Sequence, residues 1–210
     1  MKTTIRGYAL LLLLAAGAAL PGPAAAQARP GTSAELLTAQ DREMLALANE
    51  FARRCGEVLE RWIAKGEVSE ERLFASLYYP IPKTDPPKFS TDWDKLSDRD
   101  VLPIEEAILA RSPAIFFTVM VDRHGYLPTH DQRYSLPLTG NPASDLVNNR
   151  TKRIFNDRTG LAAARNEAPF LVQRYQRDTG ESMVDLSVPL NLRGRHWGAV
   201  RIGYRSVDGR

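Results

Sequence analysis

The chain has a single cysteine, so no disulfide can form within it. Cys55 stands in residues 53–57 (RRCGE) without the second cysteine and the histidine of a haem-attachment motif. We expect Cys55 to be a small buried hydrophobic side chain. The sequence predicts no cofactor.

Recognisable catalytic motifs are missing as well. The 14 glycines form neither a Walker loop nor a dinucleotide-binding fingerprint, and the three histidines are not spaced like metal ligands. The potential nucleophiles Ser135, Ser187 and Cys55 have no nucleophile elbow or obvious base beside them. These absences predict a protein that is not an enzyme and holds no metal.

The chain also lacks a strong charge of either sign. Its formal charge is +3, and Lys2 and Arg6 supply two of those positive charges near the N-terminus. The remaining +1 gives no electrostatic reason to expect nucleic acid or an anionic membrane as a partner.

The first 26 residues have the order of a secretory signal peptide. A basic start is followed by an apolar run at residues 8–20, a Pro-Gly-Pro break and three alanines that end at Ala26. The apolar run is too short to cross a bilayer, which disfavours an uncleaved anchor. We therefore expect cleavage after Ala26, a mature protein of residues 27–210 in the periplasm, and no membrane span after cleavage.

A long amphipathic helix is predicted for residues 33–65, because apolar residues recur there at helical spacing. Ser33 is its predicted N-cap and Gly66 its predicted stop. Phe51, Val58 and Trp62 lie on the apolar stripe.

The pattern of residues 66–111 predicts shorter helices on either side of a proline-rich loop. Ser69 opens a short second helix, residues 78–97 form an extended loop, and a third helix runs from about residue 97 to 111.

The pattern then changes to strands, predicted at residues 114–121, 126–130, 170–177, 182–192 and 197–204. The first two are expected to form a hairpin, and short turns join the last three into an antiparallel meander. Helices followed by about five strands predict an α+β fold.

Six segments resemble, in order, the single Cache (PAS-like) sensor domains of bacterial methyl-accepting chemotaxis receptors. They are residues 122–130 (DRHGYLPTH), 138–142 (LTGNP), 149–157 (NRTKRIFND), 175–181 (YQRDTGE), 185–189 (DLSVP) and 194–204 (GRHWGAVRIGY). The resemblance covers about residues 112–204.

This resemblance implies that residues 27–210 are one sensor domain. Residues 33–65 would pack as a long helix on a PAS-like antiparallel sheet within residues 112–205, and a loop and helix cap would cover a small ligand on that sheet. In the receptors a membrane helix and a signalling coil follow the sensor domain. Here the sequence stops at Arg210, so we expect a stand-alone exported protein that signals through a partner.

Six residues are the predicted ligand contacts: Tyr126, His130, Arg150, Arg153, Tyr175 and Asp185. Residues 150–153 (RTKR) carry three cations that could hold a carboxylate or phosphate, with a solvated loop as the alternative. The other four lie on predicted strands, where a purely structural role is the alternative. Arg153 and Asp185 are hypothesised to be opposite poles of the pocket.

These features favour a non-catalytic periplasmic sensory domain that binds a small organic metabolite. Its partner would be a membrane receptor or another sensory protein, in chemotaxis or another signalling pathway. The alternative is an interaction or accessory protein that uses the same fold without a small ligand. A homodimer through the first helix is left open.

The signal peptide makes the first testable prediction. Mature protein should appear in the osmotic-shock fraction and begin at or near Gln27, as N-terminal sequencing would show. An intact chain beginning at Met1 in the membrane pellet would contradict this.

Overall fold

The computed structural model describes residues 29–31, 37–176 and 182–206. The predicted signal peptide and Ser33 lie outside the described residues. No helix in the described part of the chain is long and apolar enough to cross a membrane.

Six α-helices and one short 3₁₀ helix occur in these ranges. The α-helices are α1 (Ala39–Ala64), α2 (Glu70–Phe74), α3 (Asp94–Asp100), α4 (Leu102–Leu109), α5 (Pro142–Asn148) and α6 (Arg158–Ala164), and the 3₁₀ helix is Gln132–Tyr134. The single helix expected at residues 97–111 is instead α3 and α4. Pro103 explains the break, because it has no N–H to donate to the carbonyl of Arg99.

The strands form one larger antiparallel sheet and two small pairs. They are β1 (Arg29–Gly31), β2 (Tyr79–Ile81), β3 (Lys88–Ser90), β4 (Ile115–Asp122), β5 (Tyr126–Leu127), β6 (Arg153–Ile154), β7 (Leu171–Gln176), β8 (Ser182–Leu192) and β9 (Arg195–Arg205). The larger sheet has the order β1-β7-β8-β9-β4, while β2 pairs with β3 and β5 with β6. The α+β prediction is confirmed, and so is the meander of β7, β8 and β9.

The predicted hairpin between β4 and residues 126–130 is wrong. β4 pairs with β9, whereas β5 has only two residues and pairs with β6. Asp122 turns the chain away, since its Oδ1 accepts hydrogen bonds from the backbone N–H groups of His124 (2.9 Å) and Tyr126 (3.0 Å). β9 pairs with β4 instead, from Ile115 to Asp122, with one register shift between Ile115 and Phe117.

A capping box starts α1. The N–H of Thr38 donates to Asp41 Oδ2 (2.8 Å), and the N–H of Asp41 donates to Thr38 Oγ1 (3.1 Å). The helix therefore begins at Ala39, later than predicted. Gly66 follows the C-cap with φ +68°, a backbone conformation that favours glycine, which confirms it as the stop.

The core lies between α1 and one face of the larger sheet. Phe51, Val58 and Trp62 are 0%, 3% and 0% exposed, so the predicted stripe is confirmed. From the sheet, alternate residues of two strands pack against it: Val184, Leu186, Val188, Leu190, Val200, Ile202 and Tyr204. The stripe is thus covered by the chain's own sheet, and dimerisation through this helix stays a prediction.

Cys55 lies in this core, fully buried as predicted. Burial raises the pKa of its thiol well above the ordinary value, and the nearby Glu105 carboxyl adds to the effect. A neutral thiol shielded in this way is a poor nucleophile.

Asp41 also ties α1 to the sheet. Its carboxylate accepts hydrogen bonds from the Arg174 guanidinium on β7 and the Tyr204 hydroxyl on β9. Burial by itself would raise the pKa of Asp41, but these hydrogen bonds outweigh it and the pKa is lowered.

The helix–sheet core makes the second prediction. Phe51→Ala should lower the free energy of unfolding by about 3–5 kcal/mol in urea denaturation, because the ring is fully buried. The exposed Glu43→Ala on the same helix is the control and should change it by at most about 0.5 kcal/mol. A loss below about 1 kcal/mol for Phe51→Ala would mean that the stripe is not the core.

Candidate functional site

A cavity of about 270 Å³ lies on the face of the sheet opposite α1. Its sheet side consists of residues from β4, β7, β8 and β9. The chain between β5 and α6, residues 128–157, lies over the cavity and is called the covering segment. The lining residues are Phe116, Phe117, Val119, Val121, Leu127, His130, Tyr134, Val147, Arg150, Phe155, Asp157, Thr159, Tyr175, Met183 and Arg201. The alternation of β4 places Val119 and Val121 in the cavity and Met120 in the α1 core.

A buried ion pair forms part of the sheet side. Arg201 Nε donates to Asp185 Oδ1 (3.3 Å), and Arg201 Nη2 donates to Asp185 Oδ2. The two residues are 8% and 0% exposed. Burial opposes the charge of Arg201, but the Asp185 carboxylate outweighs it and the pKa of Arg201 is raised. Only Arg201 of the pair lines the cavity.

Gly203, two residues beyond Arg201, shapes the same region. A Cβ at Gly203 would clash with the ring of Phe117, so the absence of a side chain lets that ring lie against β9. The Arg201 guanidinium carbon then lies 5.9 Å from the centre of the Phe117 ring.

His130 reaches the cavity from the covering segment and is 3% exposed. Its ring centre lies 4.9 Å from that of Tyr134 and 6.3 Å from that of Phe117. Its Nδ1 lies 3.4 Å from Asp131 Oδ2 but is not aligned for a hydrogen bond. Burial lowers the pKa of His130 against the opposing effect of Asp131, so the imidazole is neutral at neutral pH.

β4 is an edge strand of the larger sheet, and side chains satisfy backbone N–H groups on its outer edge, which faces away from β9. The N–H of Thr118 donates to Asp131 Oδ2 (3.0 Å), and the N–H of Met120 donates to Glu105 Oε1 (3.1 Å). Burial raises the pKa of Glu105 well above its ordinary value, and the Asp131 carboxylate raises it further. The two carboxyl groups thus satisfy the N–H groups of Thr118 and Met120, and Asp131 fixes the chain that carries His130.

The basic segment 150–153 divides between the cavity and the frame. Arg150 lines the cavity, with its guanidinium carbon 5.1 Å from the Phe155 ring centre. Lys152 instead contacts Asp98 at 2.9 Å. Buried Lys88 donates to the carbonyls of Asn149 (3.1 Å) and Thr151 (2.5 Å), which holds the segment in place. Burial lowers the pKa of Lys88 to about 8.

Of the six predicted ligand contacts, His130, Arg150 and Tyr175 line the cavity. Tyr126, Arg153 and Asp185 do not. Their roles as ligand contacts stay predictions, but the hypothesised arrangement of Arg153 and Asp185 as opposite poles needs correction. Asp185 lies behind Arg201, which binds its carboxylate.

Tyr126 and Arg153 belong to the frame of the covering segment. Tyr126 is fully buried, and its hydroxyl lies 2.8 Å from Asp94 Oδ1 and 3.0 Å from the carbonyl of Phe89. Arg153 Nη1 donates to the carbonyl of Leu146 (3.2 Å). The strand expected at residues 126–130 leaves the larger sheet after Asp122, so Tyr126 does not face the ligand surface as supposed.

Several lining residues escaped the sequence reasoning, above all Phe117, Phe155 and Arg201. Arg201 carries a usable signal, since it is a lone cation between apolar residues on a strand whose neighbours are buried. A charge at such a position requires a partner or a polar cavity. The role of Phe155 depends on the path of the covering segment, which no local pattern reveals.

The ion pair makes the third prediction. Arg201→Met should lower the free energy of unfolding by about 3–5 kcal/mol, because the Asp185 carboxylate is then buried without its partner. The double variant Asp185→Leu/Arg201→Met removes both charges and should recover most of the loss in the same urea titration. A double variant no more stable than Arg201→Met would contradict this reading of the pair.

Comparison with known proteins gives a weak structural likeness. No family model and no curated protein matches this chain. Among solved structures the chain is similar to an extracellular ligand binding receptor from Desulfohalobium retbaense DSM5692, at 13% identity and a TM-score of 0.37. The match covers 75% of this chain and 24% of the receptor chain, so this chain spans about a quarter of that protein's length. A likeness of this extent decides neither the fold nor the ligand.

Proposed function

We propose that the mature chain is a non-catalytic sensory domain of the periplasm that binds a small organic metabolite. The observation that carries the proposal is the cavity of about 270 Å³ between the sheet and the covering segment. Ligand sites are typically concave, mostly apolar and supplied with a few placed polar groups. Eight of the fifteen residues that line this cavity are apolar, and Arg150, Asp157 and Arg201 supply its charged groups.

The polar groups at the cavity are held in place before any ligand arrives. Arg201 is fixed by Asp185, and Asp131 anchors the chain beside His130 to the edge of β4. The backbone around Arg150 is held by Lys88. Groups ordered in advance lose little conformational freedom on binding, which favours affinity for a small ligand.

Binding without chemical conversion is supported by where the candidate nucleophiles lie. Cys55 is in the core on the opposite face, and Ser187 is buried outside the lining. Ser135 Oγ donates to the carbonyl of His130 (2.9 Å) and does not line the cavity. Nucleophilic catalysis needs such a group beside a base and facing the substrate.

The sensory role and the periplasmic location rest on the sequence. The resemblance of residues 112–204 to single Cache domains supports a sensor, and the order of residues 1–26 supports export. A membrane receptor or another sensory protein would read the bound state, in chemotaxis or a related pathway.

The fourth prediction is that a metabolite library contains compounds that raise the melting temperature of the mature protein. A ligand at 100 times its Kd stabilises the native state by about 2.7 kcal/mol. For a chain of this size that corresponds to a rise of roughly 5–11 °C, at about 2–4 °C per kcal/mol.

Two variants on α6 locate the binding. Thr159→Phe places a ring in the cavity and should abolish the shift, whereas Ala162→Phe places the same ring on an exposed position and should leave it intact. Equal shifts in both variants would place the ligand elsewhere. A library in which no compound shifts the melting temperature would contradict metabolite binding.

The alternative of an interaction protein has one observation in its favour. Four large apolar side chains of the covering segment are 44–56% exposed: Leu136, Leu138, Leu146 and Val147. Exposed apolar residues close together are typical of interaction surfaces. This alternative predicts no metabolite shift, together with loss of partner binding in Leu138→Ser and Leu146→Ser.

A further inference from the structure

Arg201 has one nitrogen that its ion pair with Asp185 does not use. Nε and Nη2 both donate to the Asp185 carboxylate, whereas no described residue accepts a hydrogen bond from Nη1. In contrast to the Oγ of Ser187, the residue opposite Arg201 on β8, Nη1 is not fully buried. Because Arg201 lines the cavity, Nη1 is a donor in a fixed position that a bound molecule can use. A guanidinium has no acceptor, so the ligand atom that binds it must be an acceptor.

Asp157 supplies an acceptor at the same cavity. Its Oδ1 accepts the N–H of Gly160 (3.0 Å) at the start of α6, and no described residue donates to its Oδ2. The Asp157 carboxylate also lies close enough to Arg201 for its charge to raise the pKa of the guanidinium, in addition to the larger effect of Asp185. A ligand in this cavity therefore meets a donor and an acceptor on two neighbouring residues.

The charged groups at the cavity show no excess of positive charge. Arg150 and Arg201 are the cations among the described lining residues, Asp157 is an anion, and Asp185 on Arg201 is a second anion. His130 adds no charge, because burial lowers its pKa. A carboxylate on Nη1 would face the Asp185 carboxylate across the guanidinium, and two such charges oppose each other's ionisation. An ammonium group has no acceptor to offer Nη1. An uncharged acceptor fits these conditions best.

From these features we propose that the cavity binds an uncharged carboxamide. Its carbonyl oxygen accepts from Arg201 Nη1, its N–H donates to Asp157, and its apolar part contacts apolar lining residues such as Val119, Val121 and Met183. An amide carries an acceptor and a donor on adjacent groups without a net charge, which matches the two polar residues. This inference deepens the proposed metabolite binding and rests on it.

The fifth prediction compares matched probes by calorimetric titration of the mature protein at about pH 7. Hexanamide, cyclohexanecarboxamide and benzamide are each measured beside the carboxylate and the methyl ketone with the same apolar part. The tightest carboxamide should bind at least about 10-fold more tightly than its carboxylate, whose charge would be buried without a counter-charge. It should bind at least about 3-fold more tightly than its methyl ketone, which has no N–H for Asp157.

Each comparison has an outcome that contradicts the proposal. A carboxylate that binds within about 10-fold of its carboxamide, or more tightly, would overturn the inference. No measurable binding of any of the three carboxamides would also overturn it. A methyl ketone as tight as its carboxamide would show that Asp157 accepts no hydrogen bond from the ligand.

Asp185→Asn tests the argument from charge. The substitution removes the carboxylate that neutralises Arg201, so each carboxylate probe should gain at least about 10-fold in affinity relative to its carboxamide. Asp92→Asn is the matched control, since Asp92 is an exposed acid paired with Arg72, and it should leave this ratio unchanged. An unchanged ratio in Asp185→Asn would overturn the inference.

The double variant Asp185→Leu/Arg201→Met tests the donor. It lacks Nη1 but leaves no unpaired charge, so it should fold and bind the tightest carboxamide at least about 10-fold more weakly. Unchanged affinity would show that Arg201 does not bind the carbonyl oxygen and would overturn the inference. If neither variant folds, as judged by its melting curve without a probe, the probe comparison on the unaltered protein still decides.

Failure of this inference differs from failure of the proposed function. If a library compound shifts the melting temperature and Thr159→Phe abolishes that shift, but no carboxamide binds, the carboxamide assignment is wrong and metabolite binding stands. If no compound of any class shifts it, both are wrong.

Discussion

The structure depends on how the outer edge of β4 is closed. β9 occupies one side of β4, and no strand in the described ranges pairs with the other. On that side the N–H groups of Thr118 and Met120 donate to the carboxyl groups of Asp131 and Glu105. Unpaired backbone groups at an edge invite pairing with another chain, so this arrangement protects the edge. It also pulls the chain after β5 back against the sheet, and the space left beneath that chain is the cavity.

The two faces of the larger sheet have different structural roles. The α1 face is filled with apolar side chains and stabilises the fold, whereas the opposite face buries Asp185, Ser187 and Arg201. A buried ion pair adds little net stability compared with an apolar pair of equal volume. Its value here is positional, because it holds a guanidinium at a fixed point of the cavity beside Phe117. Burial of this ion pair therefore makes the face less stabilising than an apolar face would be, and the same face carries the candidate site.

Local patterns predicted the parts of the fold that depend on neighbours in sequence. The period of the apolar residues in α1 placed Phe51, Val58 and Trp62 in the core, and the turns after β7 and β8 predicted the meander. The prediction of a hairpin after β4 was wrong, because the strand that pairs with β4 is β9, about 80 residues further along the chain. Pairing at that distance is decided by the whole sheet, and the turn at Asp122 resembles a hairpin turn in sequence.

For the candidate site, the sequence by itself determined which residue types are present. They are three cations in residues 150–153, an arginine (Arg201) between the apolar residues of a strand, and one histidine (His130) in a polar stretch. Tertiary structure alone decided which of them meet. Arg150 reaches the cavity while Arg153, three residues away, contacts the carbonyl of Leu146, because Lys88 holds the backbone between them from a distant strand. On a loop or a two-residue strand such as β6, the direction of a side chain follows from such long-range contacts, whereas on a long helix or strand it follows from the repeat of the backbone.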